Sequence, residues 1–341
     1  MKLRNSLGIG MFLVFFFIFV PAESQIIPGQ LTFHEANESI VYHWFSYVPA
    51  NLSKESLAYI LIAGQNGNLI SDDYDELIEV CRNIAEVFKT RADQYSYIMI
   101  TPVIPRSATN GQIYTVSLDR ESLLDPTDFL QRPDLKVNLM IDQLITMLEA
   151  DGYNIHDKVF IEGFSAGAMF AQRYCLLHPE RVQAIAAGSP GGSITVSGSN
   201  YGGTDMNWPV GINDFQSLVD YDFNMSEYQQ VPQFIYIGDQ DTDNSTVDIG
   251  GSDLFTDEQI QFLNETFGDS DPVRLKNQCD YIKGMGCDVR FKLYPGVGHV
   301  YTREMINDVY TFFAQYKSVG NDGGGGDGGG GCFLATVPYW Q

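Results

Sequence analysis

The chain is poor in cysteine, poor in basic residues and without an apolar run of the ~20 residues that a membrane-spanning helix needs. Its five cysteines in 341 residues include no C-x-x-C pair, which excludes a zinc ribbon, a thioredoxin-like motif and a dense disulfide scaffold. Lys and Arg number 20 against 43 Asp and Glu, a net charge of −23. That field repels nucleic acid and anionic lipid, so a general phosphate-backbone binder is excluded. The five histidines form no ligand-spaced cluster with cysteine, so no metal and no cofactor is expected. The acidic cluster over 239–243 lacks the glycine and distal Glu of an EF-hand. What is present is 44% hydrophobic and only 18% charged residues, enough for a sizeable core and incompatible with disorder throughout.

The two ends read differently from the middle. Lys2 and Arg4 precede an apolar run over 7–20, and Ala22 and Ser24 supply small residues where a signal peptidase reads. Residues 1–24 are therefore expected to be a signal peptide cleaved before Gln25, with an uncleaved anchor as the alternative. Export, to the cell surface, the periplasm or beyond, permits disulfides. Cys279 and Cys287 are close enough in sequence to bridge or to remain free, whereas Cys81 and Cys175 lie in apolar helical patterns as small buried hydrophobes. The folded domain is expected over 25–319, followed by a glycine-rich linker over 320–331. The last ten residues, 332–341, resemble a short bacterial C-terminal box of glycine spacer then Cys-Phe-Leu-Ala-Thr, which implies sorting or surface attachment. The match ends at Thr336, and a sticky tail folded back on the domain is the alternative.

Between the ends, short β-branched or aromatic runs alternate with longer amphipathic stretches, the pattern of an α/β protein with a mostly parallel sheet flanked by helices. Strands are expected over 40–48, 58–62, 97–103, 158–162, 184–187, 234–237 and 289–294. The clearest helices are expected over 72–91, 135–149, 166–177, 256–267 and 305–316. Two stretches resist assignment, 105–133 and an aromatic-rich insertion over about 191–231 that precedes the strand at 234. Long irregular insertions of this kind are usually lids or binding loops.

Gly163-Phe164-Ser165-Ala166-Gly167 follows an apolar run and opens a helical pattern, the setting of a G-x-S-x-G nucleophile elbow. A serine hydroxyl needs a base to take its proton, and on this elbow the partners follow in the order acid, then histidine. His34, His43 and His156 precede the serine, and His178 ends the next helix, where a cation suits the C-terminus. His299 remains, in a glycine-rich loop just past the last strand; a plain surface histidine is the alternative. The acid should follow the strand at 234–237, where Gly238-Asp239-Gln240-Asp241-Thr242-Asp243 offers three carboxylates. Asp241, the fourth position of a G-x-x-D turn, leads, with Asp239 and Asp243 behind it; the others serve the turn itself. Two N–H donors are needed for the oxyanion. Ala166 supplies one by position, and Gln65, with Asn66 next, is the candidate for the other. Trp208 either faces a hydrophobic substrate or forms the core of the insertion.

Taken together, Tyr47-Val48-Pro49, Gly163 through Met169, Gly238-x-x-Asp241 and Gly298-His299 resemble the α/β-hydrolase family over about 40–316. Within it they resemble the secreted esterase branch of poly(3-hydroxybutyrate) depolymerases and feruloyl esterases. Two features depart from that branch: Ala63-Gly64 stands where relatives often have His-Gly, and Asp241 is not followed by Val-Pro. The resemblance implies an α/β-hydrolase fold and a secreted serine hydrolase acting on carboxylic esters, and the net charge of −23 favours neutral esters over anionic ones. A serine peptidase of the prolyl-oligopeptidase type is one alternative reading. A non-catalytic surface-binding protein on the same scaffold is the other.

Overall fold

The computed structural model describes residues 26–63, 69–111, 113–127, 129–242, 247, 250, 252 and 254–317. The expected signal peptide, the glycine-rich linker, the C-terminal box, Gln65, Asn66 and Asp243 lie outside the described residues. Eight strands form one sheet: β1 (Leu31–His34), β2 (Trp44–Tyr47), β3 (Ile60–Ala63), β4 (Ile98–Pro102), β5 (Val159–Phe164), β6 (Val182–Gly188), β7 (Gln233–Gly238) and β8 (Val289–Tyr294). Their spatial order is β1-β2-β4-β3-β5-β6-β7-β8. β1 and β2 are antiparallel to their neighbours, and β3 to β8 run parallel.

The inner parallel strands, β3 to β7, are buried and largely apolar on both sides because both sides are covered, whereas the edge strand β8 alternates with Arg290 and Lys292. On one face, Ile60, Ile62, Ile98, Ile100, Val159 and Ile161 meet helices α2 (Pro133–Ala150) and α3 (Ala166–Leu177) in the largest buried cluster. Farther along that face, α4 (Asp257–Phe267) and α5 (Asp271–Gly284) join the same cluster. On the other, α1 (Tyr74–Tyr95) packs against β2 and β4, and α6 (Arg303–Ala314) packs against β5 and β7. Each fully buried Ile or Leu contributes about 1.5–3 kcal/mol, so these two layers hold the sheet edge on which the loops sit.

The structure departs from the expected elements in several places. The strand expected over 40–48 is shorter, Trp44–Tyr47, and pairs with an edge strand, Leu31–His34, that the sequence pattern did not mark. Helix α5 was also unmarked, because its buried face carries Arg274 and Gln278 beside Leu275, Cys279 and Ile282 and so breaks the apolar period. The stretch over 105–133 holds one turn of 3-10 helix at Thr115–Ser117 and a short helix at Arg120–Leu124. Cys279 and Cys287 do not bridge: both are buried free thiols. Cys279 faces the core from α5, while the Cys287 sulfur lies 3.7 Å from the Ser197 hydroxyl.

The insertion over 191–231 is not a bare loop. It contains a small hairpin, Asn200–Tyr201 with Thr204–Asp205, and short helices at Phe215–Val219 and Met225–Gln230. Its first part, Ser193 to Ser197, is buried against α3 and α5 through Gln172 and Gln278, whose amides bond the Thr195 and Ile194 backbone.

Candidate active site

Strand β5 ends at Phe164 and α3 begins at Ala166, which leaves Ser165 as the single residue of a sharp turn. Its backbone sits at φ 56, ψ −125, a conformation that costs a non-glycine residue on the order of 1–3 kcal/mol and is found where the surrounding structure enforces it. The turn is pinned from both sides: the Ser165 N–H donates to Gly188 O at 2.8 Å, and Ala168 N–H donates back to Ser165 O at 2.9 Å. Only glycine fits at 163, since a Cβ there would stand 2.0 Å from the Gly167 carbonyl oxygen. The spacing of the two glycines is therefore a packing requirement of strand against helix. Ser165 itself is half-buried. Ala166 opens the helix, where backbone N–H groups have no intrahelical acceptor and carry partial positive charge.

Two strands away, β7 delivers the acidic turn and β8 the histidine loop. Asp241 and His299 meet there, with the imidazole Nδ1 at 3.1 Å and 3.0 Å from the two carboxylate oxygens. Asp241 is 3% exposed. With an ionised acceptor, Nδ1 carries the proton and donates it, which turns Nε2 to the opposite side of the ring. Asp239 does a different job: its carboxylate accepts the Gly296 N–H at 2.6 Å and ties the acidic turn to the start of the histidine loop. The Gln240 N–H to Val297 O bond of 2.9 Å adds a second tie. The His299 ring lies 5.0 Å, centroid to centroid, from Phe164, the residue before Ser165. The histidine is thus brought from the far edge of the sheet to the end of the strand that carries the serine.

Gln65 and Asn66 lie outside the described residues, but the loop that bears them starts beside the nucleophile strand, because Ala63, the last residue of β3, pairs with Glu162 of β5. Trp208 requires a correction. Its indole is 1% exposed and its Nε1 donates to Leu118 O at 3.0 Å, while its ring packs edge-on to Phe215. It forms the core of the insertion and presents no face to a substrate. The aromatic signal in the sequence came from packing.

A charged group that motif reading passed over lies directly beneath this site. Glu162 is 0% exposed, accepts Arg91 Nη1 at 2.7 Å and accepts the Tyr301 hydroxyl. A carboxylate in the middle of Val159-Phe160-Ile161-Glu162-Gly163 was the available signal, since Glu is almost never fully buried unless paired. Burial alone would lower the Arg91 guanidinium's affinity for its proton, and the Glu162 charge outweighs it and raises it. Burial likewise pushes the Tyr301 hydroxyl well above its ordinary range, so it remains a donor.

A cavity of about 420 Å³ lined by His178, Glu180, Tyr221, Asp222 and Asn224 opens at the other end of α3, roughly 18 Å from Ser165 at 1.5 Å per helical residue. It is separate from this site. Among the described residues, no three His, Cys, Asp or Glu side chains come together as a metal site, and no helix is long and apolar enough to cross a membrane.

No protein-family model matches the chain, and no curated protein matches its sequence. In three dimensions it is similar to poly(aspartic acid) hydrolase-1 from Sphingomonas sp. KT-1, with a TM-score of 0.55 and 17% identity, covering 84% of this chain and 97% of that one. A fainter likeness joins it to an S-formylglutathione hydrolase from Agrobacterium tumefaciens, with a TM-score of 0.46 and 13% identity over 84% of this chain and 93% of that chain. Another joins it to an arylesterase, with a TM-score of 0.45 and 13% identity over 87% of each chain. The strand order and the first of these likenesses show the fold: the chain is built on the α/β-hydrolase fold.

Proposed function

We propose that the chain is a secreted serine hydrolase of carboxylic esters that works through an acyl-enzyme. The observation that carries this reading is the pairing of a buried Asp241 carboxylate with His299 Nδ1, with the imidazole lying against Phe164 beside the strained Ser165 turn. In this reading Ser165 Oγ attacks the ester carbonyl carbon while His299 Nε2 takes its proton. Asp241 holds the tautomer and stabilises the imidazolium without being protonated itself. The Ala166 N–H, at the start of α3, and the Gln65 N–H receive the oxyanion, each donor worth about 10²–10³ in rate. His299 then protonates the departing alkoxide, and the same nitrogen activates the water that releases the acid and regenerates Ser165.

Residues 1–24 would direct export and the box over 332–341 would hold the catalytic domain at the cell surface. The sequence motifs favour the poly(3-hydroxybutyrate) depolymerase and feruloyl esterase branch, with polyester or aromatic-ester substrates. The net charge of −23 disfavours anionic substrates, so neutral esters are the substrate class. The same charge argues against carrying over the polyanionic substrate named for the poly(aspartic acid) hydrolase that shares the fold. The test is p-nitrophenyl ester hydrolysis, from acetate to palmitate, by the chain from Gln25 onward beside its Ser165→Ala variant. Activity lost in the variant supports the esterase, and the chain-length optimum sizes the acyl pocket. Equal rates in both, or none in either with turnover of aminoacyl-naphthylamides instead, would overturn it.

A further inference from the structure

We infer that the Tyr301 hydroxyl, held by buried Glu162 and its half-buried partner Arg91, is a positioning element that fixes the His299 loop against the nucleophile strand; this rests on the serine-hydrolase reading of that site.

The loop has a long way to travel. It leaves β8, the edge strand, and must bring its histidine past β7 and β6 to β5, about 14 Å at 4.7–4.9 Å per strand. Over the first part of that path it is tied to the acidic turn through Asp239 and Gln240. Over the last part Tyr301 does the tying. Its ring stacks on Phe164 at 5.2 Å and 14° and lies 6.1 Å from Tyr236 of β7. Those two residues share one row of the sheet, with Gly188 of β6 between them. The row is open to Tyr301 because position 188 has no side chain: a Cβ there would stand 2.3 Å from the Tyr236 ring.

Ring stacking alone leaves the loop free to slide along an apolar surface. The hydroxyl removes that freedom, because it donates to Glu162 of β5, three positions before Ser165. Glu162 in turn is fixed by Arg91 at 2.7 Å, whose guanidinium also lies 5.0 Å from the Tyr301 ring centroid. On its other side Tyr301 abuts Thr302, which caps α6 by accepting the Met305 N–H at 3.2 Å. His299, two residues away from Tyr301, is therefore referenced to the strand of Ser165 through one directional, charge-assisted bond. The same cage supplies a control. Tyr97 and Tyr310 also lie near Glu162, and the Tyr97 hydroxyl is buried with no hydrogen-bond partner.

The test compares Tyr301→Phe and Tyr97→Phe in the full chain, since each removes one oxygen and keeps the ring. Three readouts are needed: kcat per site titrated with a fluorophosphonate, KM, and the low-field Nδ1 proton of His299 by NMR. Tyr301→Phe is expected to lower kcat per titrated site by about ten- to a hundredfold, as a misplaced base does, with KM changed by less than about twofold. The His299 Nδ1 proton is expected to broaden and exchange faster. Tyr97→Phe leaves all three readouts as in the unmodified chain. A Tyr301→Phe protein with a lower melting temperature but unaltered kcat and unaltered Nδ1 signal would overturn the inference, because that is what a purely structural hydroxyl gives. If the unmodified chain neither turns over esters nor takes the probe, the serine-hydrolase reading fails. The NMR comparison then decides the loop contact alone: a sharpened or unchanged signal refutes it, and a broadened one upholds it.

Discussion

Two arginines, Arg91 half-buried and Arg173 buried, lie on opposite sides of the sheet that carries the nucleophile, and the structure treats them differently. Arg91, on α1, lies under one face of β5 and meets the Glu162 carboxylate at 2.7 Å. Arg173, on α3 itself, is 1% exposed and meets neutral acceptors, Thr195 Oγ1 at 3.0 Å and Ser117 O at 2.7 Å, with its guanidinium 6.0 Å from the Trp208 ring centroid. Its Nη2 has no partner. Burial works against the charge of both. At Arg91 the Glu162 charge outweighs burial and the pKa rises. At Arg173 burial prevails over the distant Asp119 charge and lowers it to about 10. The histidine side of the site is thus braced by a balanced ion pair, and the insertion side is gathered by an arginine whose value lies in hydrogen bonds to loops.

The largest break in this comparison comes from Arg91→Met. It leaves Glu162 buried without its cation, which costs about 3–5 kcal/mol, and adding Glu162→Gln to the same chain should recover most of the loss. Denaturant unfolding checks both, and a loss below that of Arg173→Met would contradict the account.

Next is a pH effect on the insertion side. Burial raises the Asp119 carboxyl from 3.8 to about 6. The folded state therefore holds this proton more tightly than the unfolded one, so its contribution is complete below pH ~3.8 and is lost as pH rises through about 6. Two units correspond to on the order of 3 kcal/mol. The fall in stability between pH 4 and 6.5 should flatten in Asp119→Asn; parallel slopes would refute it. Asp134 runs the other way. Burial pushes it up, but hydrogen bonds from His178 and Arg132, with their charges, outweigh burial and hold it at about 2. Its contribution is present above pH ~3.8 and lost toward pH 2.

Arg173→Met should cost about 1–2 kcal/mol, the value of hydrogen bonds to neutral acceptors, because it strands no charge. Smallest of all, Trp208→Phe should cost about 1 kcal/mol for its bond to Leu118 O and leave KM on small esters unchanged; a raised KM would return Trp208 to the substrate site.

The comparison also explains what could be read from the sequence. The serine turn was legible because strand, Gly163, Ser165, Gly167 and helix are contiguous, and its strain is local. Asp241 and His299 lie 58 positions apart, yet each sits in the loop that follows a strand legible in the sequence, so topology pointed to both. The Arg91–Glu162 pair spans 71 positions with no motif, and only the oddity of a Glu inside an apolar strand marked it. Helix α5 and Trp208 mislead in opposite directions: buried polar residues hid the helix, and buried aromatics imitated a binding face. Both errors come from taking polarity as a proxy for exposure.

The central claim is that Ser165 is a nucleophile activated by His299. The most direct measurement is mass-spectrometric mapping of the adduct formed by a fluorophosphonate probe on the chain from Gln25 onward. The account predicts one adduct per chain, on Ser165, absent in Ser165→Ala and formed much more slowly in His299→Ala. No adduct in well-folded protein, or one elsewhere that survives Ser165→Ala, would contradict it.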